Sequence, residues 1–420
     1  MAASYLKPLF RFAMPFLQAS LVKQILVGLV LGILFAWAFP AQAVHAGFLG
    51  TIFVTALKGV APVLVFVLVM SSIANSRAAE GASQIKPIFC LYMVSTFGAA
   101  AAAALASYIF PTEISLAAVS KAEAAAPAGV TDVLTTLILN VVDNPFSAMH
   151  EANYIGILAW SVAMGLILRR ARQGTREMLE DAADAVQLIV RIVIRFAPLG
   201  IFGLVSQTFA AEGFAAMASY VRLLAVLLGA MAFVALVWNP LLVWLCTREN
   251  PYPATLLCLK ESGIPAFFTR SSAANIPVNL EICRRLGLPA STYSVSIPVG
   301  ATVNMAGAAV TITVITLSAA HSLGIDVGIG MALFLCLVAS VCAAGTSGVP
   351  GGSLMLIPLA CGLFGIDQDT AMQVVAVGFI ISVLQDSCET GINSSSDALF
   401  TIAACRRAER IARLKALQKR

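Results

Sequence analysis

Gly345-Thr346-Ser347-Gly348-Val349-Pro350-Gly351-Gly352-Ser353 cuts through an otherwise apolar run from Val327 to Phe364. Neither arm of that run is long enough to cross a bilayer, which takes about 20 mostly apolar residues. The run therefore reads as two short helical arms joined by a polar Gly/Ser/Pro tip. A second run, Pro253 to Leu286, is broken in the same way by Thr269-Arg270-Ser271-Ser272-Ala273-Ala274-Asn275-Ile276-Pro277. Irregular backbone at membrane depth leaves N–H and C=O groups without partners, so it is tolerated only inside protein or against a wet cavity. Interrupted apolar segments in corresponding positions of two halves point to a transport site. The two runs are read as re-entrant hairpins, the first entering from the cytoplasm and the second from outside, which implies an inverted repeat around a central site.

The rest of the chain supplies the membrane context. Of 420 residues, 60% are apolar and 11% charged, against about 25% charged in a soluble domain. Eight candidate spans are expected: Gln24–Phe39, Phe48–Ile73, Ile88–Phe110, Tyr154–Leu168, Val186–Phe209, Leu223–Leu245, Tyr293–Leu317 and Met372–Cys405. The short fourth is extended by Asn140–Phe146 as part of a broken helix. The expected class is an all-α polytopic membrane protein with eight transmembrane helices and two re-entrant helical hairpins.

Lys and Arg stay on the cytoplasmic side of a membrane. Lys7, Arg11 and Lys23 precede span one. Arg77 and Lys86 separate spans two and three, and Arg169, Arg170, Arg172 and Arg176 separate four and five. Arg248 follows span six, Arg284 and Arg285 precede span seven, and Arg406 to Arg420 form a basic tail read as a stop-transfer anchor. The alternate loops Pro40–Gly47 and Ala211–Tyr220 are almost free of charge, Arg222 being a minor exception. Both termini are thus expected in the cytoplasm. Ala41-Gln42-Ala43 imitates a leader cleavage site, but the apolar stretch before it is long for a signal core and more spans follow, so it reads as a first span.

Several classes are excluded. The net charge of +5 is spread in short clusters between apolar runs, not pooled on a nucleic-acid surface. The nine cysteines include no CxxC pair and sit in or near apolar runs, as buried small hydrophobes do. No GxxxxGK[ST] loop marks an ATP-driven pump. His45, His150 and His321 all fall in loop-like surroundings away from the polar centre, and no nucleophile–base pair suggests an intramembrane hydrolase. A channel would need its lining repeated around a pore, and the polar stripe occurs once per chain.

That stripe lies on the last span. Asp386, Glu389, Thr390, Asn393 and Asp397 fall within roughly 100° of helical arc. Intramembrane acids are costly and usually face a cavity or a partner. In span seven, Pro298-Val299-Gly300-Ala301-Thr302-Val303-Asn304-Met305-Ala306-Gly307 suggests a locally unwound helix whose carbonyls can ligate a hard cation. Lys58 in span two is read as snorkelling to the outer interface. Arg270, at the first hairpin tip, needs a partner, with Asp386 and Glu389 the nearest.

At these residues the chain resembles the dicarboxylate/amino acid:cation symporter family, which has the glutamate-transporter fold. Arg270-Ser271-Ser272, Asn304-Met305-Ala306-Gly307, Gly348-Val349-Pro350-Gly351 and the pattern Asp386, Thr390, Asn393, Asp397 match it in order and spacing over nearly the whole length. Ser271 to Asn279 and Gln385 to Thr390 look like the serine/threonine carriers of that family. The resemblance implies a homotrimer. Residues 1–85 (spans one and two) and 112–211 (spans four and five) would form a trimerising scaffold. Residues 86–111 (span three) and 212–420 (span six, both hairpins, spans seven and eight, and the tail) would form a transport domain that moves as an elevator, gated outside by the second hairpin.

Carried over by resemblance, Asp386 binds the substrate amino group, and Asn393 and Ser272 its carboxylate, with hairpin backbone at Val349 and Gly351. Thr390, Glu389 and Arg270 lie beside the substrate. Gly300, Asn304, Asn393 and Asp397 hold one sodium ion; Thr302 with Ala343, Ala344 and Thr346 holds another; Tyr92, Ser95 and Thr96 match part of a third. Sodium is the coupling ion, and no organic cofactor is implied. Three departures matter. Glu389 replaces the arginine that grips an acidic side chain, Ala308 replaces a threonine, and Ala306 replaces the aspartate of the span-seven motif, which puts the third sodium site in doubt. Glu389, expected to ion-pair with Arg270, disfavours dicarboxylates and favours serine and threonine, with alanine weaker. The alternative is a sodium- or proton-coupled symporter of other small neutral amino acids or dicarboxylates.

Overall fold

The computed structural model describes residues 21–75, 85–114, 139, 141–151, 153–344 and 351–418. Among them every regular element is helical. Helix α1 (Leu21–Ala38) is followed by α2 (Pro40–Asn75), α3 (Ile85–Ile109), α4 (Pro145–His150) and α5 (Tyr154–Leu168). Next come α6 (Gln173–Arg195), α7 (Ala197–Glu212), α8 (Phe214–Phe233), which runs through a π-turn at Val234–Trp238, and α9 (Asn239–Thr247). Then α10 (Tyr252–Cys258), a π-turn at Leu259–Gly263, α11 (Ile264–Thr269) and α12 (Ile276–Arg285) lead to α13 (Ala290–Val303) and α14 (Ala306–Ser322). Finally come α15 (Ile329–Ala343), a 3₁₀ turn at Ser353–Leu356, α16 (Ile357–Gly362) and α17 (Gln368–Gln418).

Among the described residues five helical stretches are long and apolar enough to cross a membrane: Pro40–Asn75, Ile85–Ile109, Ala218–Thr247, Ala290–Ser322 and Gln368–Ala412. The chain is therefore a multi-pass membrane protein. Lys23–Ala38 and Ala159–Leu168, parts of expected spans one and four, are shorter apolar helices. The expected fifth span is not one helix. α6 and α7 meet at an angle of 47°, because Pro198 sits in the first turn of α7, where it cannot donate to the preceding turn. The expected outer loop at Pro40–Gly47 is helical instead, since Pro40 occupies the first position of α2, where its fixed φ suits a helix start. Of the histidines expected in loops, His45 lies within α2, while His150 and His321 end α4 and α14.

Packing falls into two groups. α2 lies against α5, α6 and α7, and α1 against α7. α3 lies against α14, α15 and α8, while α17 takes α9, α11, α12, α13 and α14 around itself. The groups meet at contacts such as Phe53 edge-on to Phe379, 5.3 Å between ring centres.

The interruptions have local causes. Arg270 (φ 53°) ends α11 in the left-handed region and its N–H closes on Ala266 O at 2.8 Å. Both π-turns fall just before prolines, Pro240 and Pro265, whose missing N–H and ring would otherwise break the ladder. Between α13 and α14, Asn304 and Met305 leave the helix. Gly345 to Pro350, the expected tip of the second hairpin, and the Lys58 side chain lie outside the described residues. Among the described residues the cysteines are free thiols, six of them buried.

Candidate functional site

α17 carries the acidic stripe against the broken span seven and the two hairpins. Asp386, Glu389, Thr390, Asn393 and Asp397 are all buried, so each polar atom needs a partner within the protein.

Arg270 reaches across from the first hairpin, its Nε 2.5 Å from Asp386 Oδ2, and both side chains are under one tenth exposed. Gly351 N, from the second hairpin, donates to Asp386 Oδ1 at 3.2 Å. Gly351 has φ 75°, a conformation in which a Cβ is strained. Asp386 thus ties the turn after α11 and the segment leading into the 3₁₀ turn to α17. The expected ion pair between Arg270 and Glu389 does not form: Arg270 bonds Asp386, nearly one turn earlier on the helix. Glu389 is bonded by neutral donors instead. Thr311 Oγ1 and Ser353 Oγ lie 2.8 Å from its Oε2, and Gln385 Nε2 lies 2.5 Å from it.

Thr390 spends its hydroxyl on Asp386 O, one turn back, at 2.8 Å. Asn393 Oδ1 accepts from Gly307 N at 2.7 Å, and its amide lies 3.3 Å from Met305 Sδ. Ser272 is buried at the first hairpin tip. That tip is anchored by Asn275 and Asn279, whose amides donate to Ser394 Oγ at 2.8 and 3.1 Å. Two glycines let spans seven and eight touch. A Cβ on Gly307 would stand 2.8 Å from Glu389 Cα, and one on Gly300 would stand 2.6 Å from Asp397 Oδ1.

Of the expected cation ligands, Asn304 and Asp397 come together: Asn304 Nδ2 donates to Asp397 Oδ1 at 2.8 Å, to Ser396 Oγ at 2.7 Å and to Asn393 O at 3.2 Å. Asn304 Oδ1 and Asp397 Oδ2 are buried with no hydrogen-bond donor among the described residues. Two donorless buried oxygens, one on a carboxylate, fit a hard cation, which asks for oxygen ligands and nothing else. Tyr92 Oη donates to Ser296 O at 3.1 Å and lies 3.3 Å from Asp397 O, so Tyr92 borders this cluster. Ser95 turns to Asn239 Oδ1 at 2.8 Å, and Thr96 back-bonds Tyr92 O at 2.9 Å. Thr302 donates to Val299 O at 2.9 Å. Ala343 and Ala344 end α15, while Thr346 and Val349 lie outside the described residues. Ala306 and Ala308 are buried.

Sequence reasoning missed Thr311, Ser353 and Gln385. Two had a signal: Gln385 stands one helical turn before Glu389, and Thr311 one turn after Gly307, so both share the face already singled out.

Compared with known proteins, residues 21–406 match the model of the sodium:dicarboxylate symporter family. That match runs through both hairpins, the broken span seven and the acidic stripe, and the chain therefore belongs to the sodium:dicarboxylate symporter family, a family of membrane transporters.

Proposed function

We propose that the protein imports serine and threonine with sodium across a bacterial cytoplasmic membrane. It works as a homotrimer whose transport domain (residues 86–111 and 212–420) moves as an elevator against the scaffold (1–85 and 112–211). Both termini face the cytoplasm, with eight crossings, as the alternation of basic loops suggests; a reporter fused after Arg420 should be active only inside the cell. The observation that carries the substrate reading is the bonding of Glu389. It stands where acidic carriers place an arginine, and it is held by Thr311, Ser353 and Gln385. Arg270 is spent on Asp386. Among the described residues, that leaves no free cation for a second substrate carboxylate, and an unpaired buried carboxylate is heavily penalised.

In this reading Asp386 receives the substrate ammonium, and Asn393 and Ser272 its carboxylate. Gly300, Asn304, Asn393 and Asp397 hold sodium, with a second ion at Thr302, Ala343, Ala344 and Thr346. Bound sodium supplies positive charge where Asp397 and Asn304 leave oxygens without donors. The test is uptake of labelled serine by purified protein in liposomes. Accumulation should require an inward sodium gradient, and excess unlabelled serine or threonine should block it while aspartate should not. Aspartate blocking at neutral pH as well as threonine does would overturn the selectivity, and uptake indifferent to sodium would overturn the coupling.

A further inference from the structure

The donors and acceptors around Glu389 do not balance. The hydroxyls of Thr311 and Ser353 each have one proton, and the Gln385 amide has two. With Glu389 ionised, Thr311 and Ser353 spend theirs on its Oε2 at 2.8 Å, a charged acceptor that wins over the 3.2 Å alternative from Thr311 to Gly307 O. Gln385 Nε2 covers Glu389 Oε2 and, at 2.9 Å, Thr311 Oγ1. Every donor of the cluster is then committed. What remains is acceptors. Among the described residues, Gln385 Oε1, which is wholly buried, has no donor, and neither has Glu389 Oε1.

We infer that Thr311, Ser353 and Gln385 are positioning residues that fix Glu389 by one oxygen and make the pocket select a substrate that brings its own hydroxyl donor. The inference rests on the proposed serine and threonine transport and names the residues that discriminate within it. A substrate hydroxyl donates to an acceptor left over by the cluster. An alanine methyl leaves those acceptors unpaired, and a site built to bond a hydroxyl rejects the analogue lacking it. A side-chain carboxylate brings only more acceptors. The three residues come from three different elements, α14, the 3₁₀ turn of the second hairpin and α17, so this arrangement exists only while the hairpin lies against the stripe.

The experiment is competition against labelled serine taken up by proteoliposomes under an inward sodium gradient, reading the ratio of half-inhibiting alanine to half-inhibiting serine. Thr311→Val and Ser353→Ala should each narrow that ratio about tenfold, the scale of one hydrogen bond to a charged group, while Thr311→Ser retains the discrimination. Thr316→Val removes a buried hydroxyl of the same helix that makes no hydrogen bond to Glu389, and it should leave the ratio unchanged. If a variant does not transport, the thermal shifts induced by serine and by alanine in detergent with sodium give the same comparison. Serine uptake with the ratio within about twofold of wild type in both Thr311→Val and Ser353→Ala would overturn this inference alone. Wild-type protein that neither transports nor binds serine would overturn the functional reading along with it.

Discussion

Replacing Arg270 by Gln should destabilise the substrate-free protein and increase the stabilisation that serine confers. Arg270 Nε lies 2.5 Å from Asp386 Oδ2, and the two side chains are 8% and 4% exposed. Removing one partner of a buried pair leaves an uncompensated charge, a loss of about 3–5 kcal/mol. Among the described residues Gly351 N at 3.2 Å is the only other donor to Asp386, and one long neutral hydrogen bond offsets at most about 1 kcal/mol of that. The substrate ammonium, if it binds Asp386, restores the missing cation. Serine should then stabilise Arg270→Gln by more than it stabilises wild type, through ordinary binding linkage. Asp386→Asn in the Arg270→Gln background removes the stranded charge, so the double variant should be less destabilised than the sum of the singles by more than about 1 kcal/mol. Thermal unfolding in detergent and sodium, with and without serine, measures all four corners of the cycle. An additive cycle, or a serine shift in Arg270→Gln no larger than in wild type, would refute the reasoning: the pair would then contribute nothing to the substrate-free state, or the ammonium would bind elsewhere.

Other perturbations follow from the same contacts. Asp397→Asn should raise the sodium concentration for half-activation more than tenfold, because a full charge in a low-dielectric site is lost; Ala306→Gly should move it less than about twofold, and equal effects in sodium titrations of serine uptake would contradict the assignment. Gly307→Ala places a methyl 2.8 Å from the Glu389 backbone, which cannot swing aside, so it should cost about 1–3 kcal/mol and abolish uptake, whereas full uptake would show that spans seven and eight are looser than described. Asp367 caps α17 through Thr370 N at 2.9 Å and Thr370 Oγ1 at 2.6 Å, and Asp367→Ala should lower stability by about 1 kcal/mol in thermal unfolding. Partial burial pushes the Asp367 carboxyl up, but the Thr370 hydroxyl and amide and nearby backbone amides outweigh it, so it titrates below its ordinary value. A depressed carboxyl stabilises above its unfolded pKa and loses that contribution as pH falls, so the penalty of Asp367→Ala should be present at neutral pH and fade below about pH 4.

What was legible in the sequence was what a period or a breaker encodes. The interruption at Arg270, the break at Asn304 and Met305, and the stripe on α17 follow from proline, glycine and a helical repeat, all local properties. The bend at Phe196 had its sign in Pro198, but uninterrupted apolarity from Val186 to Phe209 hid it, because hydropathy reads length and not direction. The pairing inside the site was not legible. Asp386 and Glu389 differ by three positions on one face, so spacing alone cannot say which of them meets Arg270. That is decided by where the left-handed turn at Arg270 aims its side chain, and by three neutral donors from separate elements that occupy Glu389 first.

The charge balance of the site ties these pieces to coupled transport. Asp386, Glu389 and Asp397 are buried carboxyls, and among the described residues Arg270 is the one cation paired with any of them. In the ionised state a formal excess of two negative charges would remain in a region where each unpaired charge is penalised by several kcal/mol. The pair with Arg270 relieves Asp386, and three hydrogen bonds relieve Glu389. Asp397 has only the Asn304 amide and keeps an oxygen without a donor. A zwitterionic substrate adds no net charge and cannot cancel the excess, whereas a dicarboxylate deepens it. Monovalent cations can cancel it, and in the proposed reading they bind beside Asp397, whose partner among the described residues is the Asn304 amide. A pocket that reaches neutrality only when cations bind with a net-neutral substrate favours loading the two together, which is the physical content of symport, and it favours a neutral amino acid over a dicarboxylate.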